Sequence, residues 1–253
     1  MAVDEWLDSP RLLLRLALVP ALAWLTYAWG AHAATLFCAR RGDPSSRRIA
    51  LTFDDGPDPV HTPRVLDLLD GLGARGTFFV VGDRAARARA VVAETAARGH
   101  EVASHGWSHA NLWVCGPRRT WREIERSHAL IGEITGRPPT HFRPPWGAVN
   151  AAMFPLLRRV GERCVLWSIQ PEGLRPVTAP IQVDRVLSAA HPGAIVDLHD
   201  AEGTSGAPER LIEALPRMVA GLRASGYELT TVTEVLGGLR TPAVLTTPEQ
   251  GST

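Results

Sequence analysis

Between residues 48 and 232 the chain alternates short apolar runs with longer stretches of helical spacing, and this alternation limits its fold more than any other feature. The segments 48–53, 76–81, 101–103, 141–142, 163–168, 194–198 and 228–232 read as strands. The segments 62–72, 84–98, 118–136, 150–161, 180–190 and 209–225 read as helices, the first from Val65, Leu68, Leu69 and Leu72. Asn150 suits a helix start, and Gly99, Gly161 and Gly226 suit helix stops. Strands that alternate with helices pair in parallel, each helix carrying the chain back across the sheet. About seven such strands approach the roughly eight of a closed barrel, so the expected fold class is α/β, a distorted (β/α) barrel. No internal repeat interrupts the pattern.

The flanks differ from this middle. From Leu16 to Phe37 there is no Asp, Glu, Lys or Arg. A run of about 20 apolar residues can cross a bilayer as a helix. Trp24, Tyr27 and Trp29 would suit its interfacial ends. The alternatives are a cleaved signal peptide, with Ala31-His32-Ala33 as the cleavage site, and a buried helix. The expected organisation is a signal peptide or membrane anchor at 1–37, a linker at 38–48, a globular domain at 49–236 and a disordered Thr/Pro-rich tail at 237–253. Arg11 and Arg15 precede the apolar run, whereas Arg40, Arg41, Arg47 and Arg48 follow it. By the positive-inside rule alone, that count places the domain in the cytoplasm.

Charge and cysteine usage exclude some functions. The net charge is +1 and no basic stripe occurs, so a nucleic-acid partner is not expected. Cys38, Cys115 and Cys164 form no CxxC pair and are odd in number. They read as incidental thiols, neither a zinc cluster nor a disulfide framework. Nothing in the sequence specifies an oligomer.

Polar residues gather where the strands end, which in a β/α barrel is the active-site face. Asp54-Asp55 follows the first strand, Ser104-His105 the third, Arg143 the fourth, and His199-Asp200 the apolar run 194–198. Two adjacent buried carboxylates need a cation or an arginine nearby. His105 and His109 are four apart, a spacing that places both on one side of a helical turn and within reach of one ion. Two imidazoles and one carboxylate leave positions open for water, as catalytic metal sites do. The prolines after Arg143 would present Arg143 and Trp146 rigidly, Trp146 as a wall on which a sugar could stack. Taken singly, Asp-Asp-Gly-Pro is equally a solvated turn, Arg-Pro-Pro an ordinary loop, and His199 a satisfied core histidine.

Together, the four clusters resemble the NodB-like polysaccharide deacetylases. Thr52-Phe53-Asp54-Asp55-Gly56 is similar to that family's first motif, and His105-Gly106-Trp107-Ser108-His109 to its second. Arg143-Pro144-Pro145 is similar to the third, and Leu198-His199-Asp200 to the fifth. Order and spacing agree from residue 49 to about 236. The resemblance implies a distorted β/α barrel and removal of N-acetyl groups from an N-acetylated amino-sugar polymer. It implies a divalent metal, usually zinc, on Asp55, His105 and His109. It makes Asp54 the general base, Arg143 its orienting partner and His199 the general acid. Pro145, Trp146, Trp167 and Leu198 would lie against the substrate, with Leu198 at the acetyl methyl. The fourth motif departs: the segment 166–174 has no Asp-Trp pair, so Glu172 would replace the Asp and Leu174 or Trp167 the Trp. Asp200 would support the catalytic groups from behind. An amidase acting on a non-sugar C–N bond, and a non-catalytic sugar-binding protein, are the rival readings. Exported relatives imply the cell envelope, with the domain outside the cytoplasm and membrane contact through the N-terminal segment.

Overall fold

A computed structural model of the chain describes residues 18–28, 34–173 and 175–237. The expected cleavage site at 31–33, Trp29, Leu174 and the tail beyond residue 237 lie outside the described residues.

The strands are β1 (Arg48–Asp54), β2 (Thr77–Val80), β3 (Glu101–Ser104), β4 (His141–Phe142), β5 (Arg163–Cys164), β6 (Ile195–His199) and β7 (Glu228–Thr230). They form one seven-stranded sheet in the order β5-β4-β3-β2-β1-β6, with β7 beside the start of β1. Every ladder is parallel. β1 is buried along six of its seven residues. Continuous burial of this kind marks a parallel strand covered on both faces.

The helices fall between the strands: α1 (His61–Gly71), α2 (Gly82–Arg87), α3 (Arg89–Ala97), α4 (Pro117–Thr135), α5 (Met153–Val160), α6 (Ala179–Ala189), α7 (Ala207–Ala224) and α8 (Val232–Val235). The expected single helix over 84–98 is two, broken at Ala88, whose φ/ψ of −126°/45° leaves the helical region. Helix α5 starts at Met153 rather than Asn150, and the Asn150 carboxamide accepts the Met153 N–H at 3.1 Å. Val65, Leu66 and Leu69 of α1 and Leu211, Leu215 and Met218 of α7 join Ile49, Leu51 and Phe53 in the main core. A second cluster gathers around Phe142, Met153 and Leu157.

The distortion of the barrel lies between β5 and β6, which share no ladder. After β5 the chain meets β6 at the isolated bridge Ile169↔Val196 and by hydrogen bonds around it. The segment expected to be a linker crosses this seam. Ala39 bridges to Val165, Arg41 bridges to Ala194, and Cys38 is bonded to Cys164 as a disulfide. The expectation of incidental thiols is therefore corrected for this pair, and Cys115 remains a free buried thiol. The two bonded cysteines are 126 positions apart, a separation that no local spacing rule detects. At the N-terminus, residues 18–28 are helical, with Leu18, Val19, Leu22 and Leu25 exposed and Ala28 buried. Tyr27 accepts a hydrogen bond from the Ala151 N–H at 3.1 Å. Among the described residues no helix is long and apolar enough to cross a membrane.

Candidate active site

Asp54 is the last residue of β1 and Asp55 the first beyond it, with φ of 71°. Successive side chains of a strand point to opposite faces. The left-handed conformation at Asp55, which Asp tolerates better than most residues, interrupts that alternation. Both carboxylates consequently line one cavity of about 500 Å³ at the C-terminal ends of the strands. Arg84 of α2 holds the turn from outside, donating to the Asp55 carbonyl at 2.7 Å and the Glu202 carbonyl at 3.2 Å.

His105 follows β3, and His109 closes the loop after it. This loop is not the expected helical turn: Gly106 has φ of 77° and His109 φ of 55°, both incompatible with a right-handed helix. Glu123 of α4 sets its shape by accepting the Trp107 N–H at 3.0 Å, the Ser108 N–H at 2.7 Å and the Ser108 hydroxyl at 2.7 Å. The result still brings the imidazoles together, with ring centroids 5.1 Å apart. His109 Nε2 lies 2.8 Å, and His105 Nε2 3.6 Å, from Asp55 Oδ1. The ligand atoms of Asp55, His105 and His109 all lie within 4.8 Å of one another.

The donor chemistry fits a divalent cation. His105 Nδ1 donates to the Arg143 carbonyl at 2.7 Å, which leaves Nε2 as the lone-pair atom facing the cluster. Burial lowers His105 to about 3, so the imidazole is neutral and able to ligate. Burial would raise Asp55, but the hydrogen bond from His109 and the charges of both imidazoles hold it below the usual carboxylate range. Two borderline imidazoles with one hard, anionic carboxylate make a mixed N/O donor set that suits zinc and its neighbours.

Beside the cluster, Arg143 is fully buried. Its Nη1 donates to Asp54 Oδ1 and to the Thr52 hydroxyl, both at 2.7 Å, and lies 3.4 Å from Asp197 Oδ1. Its Nη2 donates to the Leu166 carbonyl at 3.3 Å, and its guanidinium lies 4.0 Å above the Phe79 ring. Burial raises Asp54 well above the usual carboxylate range, Arg143 pulls it down, and Asp197 and Asp55 push it up. Across the cavity, His199 ends β6 in direct register with Asp54. Gly203 passes so closely that a Cβ there would collide with Asp55 Oδ2 and lie 3.7 Å from His199 Cδ2.

The sequence profile of the polysaccharide deacetylase family matches residues 41–165. A chitooligosaccharide deacetylase of Bradyrhizobium sp. (strain ANU 289) is 35% identical over 209 residues, which are 77% of this chain and 94% of that one. The chain belongs to the polysaccharide deacetylase family. The peptidoglycan-N-acetylglucosamine deacetylase PgdA of Listeria monocytogenes serotype 1/2a (strain 10403S) is 35% identical over 193 residues, 76% of this chain. The match spans only 40% of the Listeria protein's length. The solved structure of the peptidoglycan deacetylase PdaC from Bacillus subtilis superposes with a TM-score of 0.66 at 32% identity, covering 76% of this chain and 91% of that one.

In this member of the family, Asp54, Asp55, His105, His109, Trp146, Trp167, Glu172 and His199 all line the one cavity. Trp146, at φ of 55°, packs its ring edge against His109 at 4.3 Å and is 55% exposed, so it offers a face to ligand. Leu198 and Pro145 are not among the lining residues. Leu198 sits between Asp197 and His199 on β6, so the strand's alternation turns it into the main core. Glu172 does not partner His199, because its carboxylate accepts from Arg210 at 2.6 Å, Gln182 at 3.0 Å and the Val177 N–H at 3.2 Å. Asp200 lies behind the turn after β1, accepting from the Thr62 hydroxyl, and burial raises it to about 7.

Asp197 is the principal residue that the sequence reading passed over. It was absorbed into a strand read as apolar, yet it is 2% exposed and lines the cavity. Gln170, in the segment without the expected Asp, donates to Asp197 Oδ2 at 3.1 Å. The signal was present: Asp197 and His199 are two apart on a strand and so share a face. Arg84 and Glu123 carried no comparable signal, because they act through backbone atoms that only the fold brings near.

Proposed function

We propose that this chain is a metal-dependent hydrolase that removes N-acetyl groups from an N-acetylated amino-sugar polymer. The observation that carries this reading is the pairing of two different carboxylates at one strand end. Asp55 faces two imidazoles, while Asp54 faces a buried arginine and the register partner His199. Bound by Asp55, His105 and His109, a divalent cation, zinc by donor type, would supply Lewis acidity toward the acetyl carbonyl oxygen and the attacking water. Asp54 takes a proton from that water, and its raised pKa brings its basicity nearer to neutral pH, where a general base works best. Arg143 fixes which Asp54 oxygen faces the cavity by holding Oδ1 at 2.7 Å, leaving Oδ2 free. His199 protonates the departing amine nitrogen, which otherwise leaves poorly. Trp146 and Trp167 provide apolar faces for the sugar ring and the acetyl group.

The catalytic domain works in the cell envelope, outside the cytoplasm. The Cys38–Cys164 disulfide supports this over the arginine count, because disulfides persist in oxidising compartments. The exposed leucines and Val19 of residues 18–28 suit membrane contact. Protease added to spheroplasts should digest the domain, and protection would overturn the placement.

The activity is tested by acetate release from N-acetylglucosamine oligomers and peptidoglycan, with the full chain loaded with zinc or cobalt and with a chelated control. Metal-dependent acetate release is expected. Metal binding without release from any sugar would transfer the reading to an amidase of non-sugar C–N bonds.

A further inference from the structure

The cavity at the strand ends is poorly made for a methyl group. Among the described residues that line it, the large apolar side chains are Trp146 and Trp167, and no Ala, Val, Leu, Ile or Met takes part. Trp146 stands at the mouth, 55% exposed. Leu198, the residue expected at the acetyl methyl, sits in the main core. An acyl group bound inside therefore meets one indole face, that of Trp167, and otherwise polar atoms.

The direction of that acyl group follows from the three bonds of its carbonyl carbon. The oxygen faces Asp55, His105 and His109. The nitrogen, which belongs to the sugar, faces His199 and the open mouth. The third substituent is left to point inward. Across β1 and β6 the register pairs Asp54 with His199 and Thr52 with Asp197. Residues two apart on a strand share a face, so Asp197 stands below His199, about 6–7 Å deeper.

Asp197 is 2% exposed, no more hidden than His105 at 2% or Asp54 at 3%, and all three line this cavity. Its Oδ2 accepts from Gln170 Nε2 at 3.1 Å, and its Oδ1 lies 3.4 Å from Arg143 Nη1. A carboxylate has about four acceptor positions, so Asp197 can take a further donor. Gln170 Nε2 likewise has a second N–H to give. A methyl group placed here covers a buried acceptor without donating to it. A hydroxymethyl group fits better. Its CH₂ rests on Trp167, and its hydroxyl donates to the Asp197 carboxylate, a charge-assisted bond, while accepting from Gln170.

We infer that Asp197 and Gln170 form a subsite for a hydroxyacyl group, and that the enzyme hydrolyses N-glycolyl amino sugars in preference to N-acetyl ones. This inference rests on the deacetylase reading and extends it to the acyl group released. The hydrolysis itself is unchanged. Water adds its oxygen to the carbonyl carbon, the C–N bond breaks, glycolate leaves in place of acetate, and the amine departs with a proton from His199.

The test offers the metal-loaded full chain a glucosamine oligomer and a peptidoglycan fragment, each prepared with N-glycolyl, N-acetyl or N-formyl groups, and measures the acid released. The glycolyl forms should exceed the acetyl forms in kcat/KM by roughly 10-fold or more, the effect of one hydrogen bond to a charged acceptor. Gln170→Leu should lower the glycolyl-to-acetyl ratio about 5-fold or more. Asp197→Leu, which puts an aliphatic group on the floor, should slow both reactions through Arg143 and reverse the ratio in favour of acetyl. A residue that acted only by holding Arg143 would slow both alike and leave the ratio fixed. Equal use of glycolyl and acetyl forms by the wild type, formyl forms used faster than both, or a ratio that neither variant moves overturns the hydroxyacyl subsite. Acetate released in those cases leaves the deacetylase reading intact. No acid from any substrate overturns both.

Discussion

The sheet carries two clusters of histidine and carboxylate, one at each end of its strands, and they have opposite properties. At the N-terminal ends, Glu101 of β3 accepts from His141 Nδ1 and the Thr233 hydroxyl at 2.7 Å each, from the Thr77 hydroxyl at 2.8 Å and from the Thr233 N–H at 3.1 Å. Four donors fill the carboxylate from β2, β4 and α8, so although a cavity of about 570 Å³ borders Glu101, its oxygens are already engaged. At the C-terminal ends, Asp55 faces two imidazole Nε2 atoms beside a cavity of about 500 Å³. The residue types are nearly the same. Whether hydroxyl and backbone donors saturate the carboxylate decides which cluster is structural and which is able to bind an ion.

Substitutions at the two clusters should therefore separate metal binding from stability. Asp55→Ala should abolish bound metal, as read by elemental analysis, and with it all acetate release. Glu101→Gln should leave metal content intact and lower stability by about 1.5–3 kcal/mol in denaturant titration, the usual cost of losing hydrogen bonds to a buried carboxylate. A Glu101→Gln protein that lost metal while keeping its stability would erase the distinction.

Within the upper cluster, the two adjacent aspartates should also separate. Asp54→Asn should retain metal while kcat falls by about 10²–10⁴-fold, the range expected of a general base. Metal loss in Asp54→Asn would make Asp54 a ligand instead.

Asp197 gives a smaller and more specific effect. Asp197→Asn should lower kcat by roughly 10-fold, because Arg143 loses the second carboxylate that holds its position. In the double variant Asp197→Asn/Gln170→Glu, amide and carboxylate exchange places with little change of shape. Recovery of kcat in the double variant is expected, and its absence would make the contribution of Asp197 purely steric.

The smallest effect lies away from both clusters. Burial raises Glu162 to about 7, with His128 opposing at 2.6 Å. The folded state then keeps a proton that the unfolded chain has released, so this group's stabilisation is complete below the unfolded pKa and lost as pH rises toward 7. Glu162→Gln should remove this slope and raise stability at pH 8 by about 1–2 kcal/mol relative to wild type. An unchanged slope in thermal melts between pH 4 and 8 would show that another group titrates there.

Much of this was legible in the chain. Alternating strand and helix patterns specify parallel pairing, because a parallel strand needs a crossover that a helix supplies. Asp54, Asp55, His105, Arg143 and His199 were visible because each ends or follows a strand, and strand ends of such a sheet share one face. Tertiary structure decided what depends on contacts between distant segments. It placed Cys38 against Cys164 and laid the supposed linker across the β5–β6 seam. It gave Glu172 to Arg210 and left Asp197 to Arg143. It put His105 and His109 on a loop shaped by Glu123, where the four-residue spacing alone predicted a helix. Periodicity is a local property of the chain, so the sequence by itself determined the elements and the face they share. Charge pairing is a property of space, so only the folded sheet determined which buried group neutralises which.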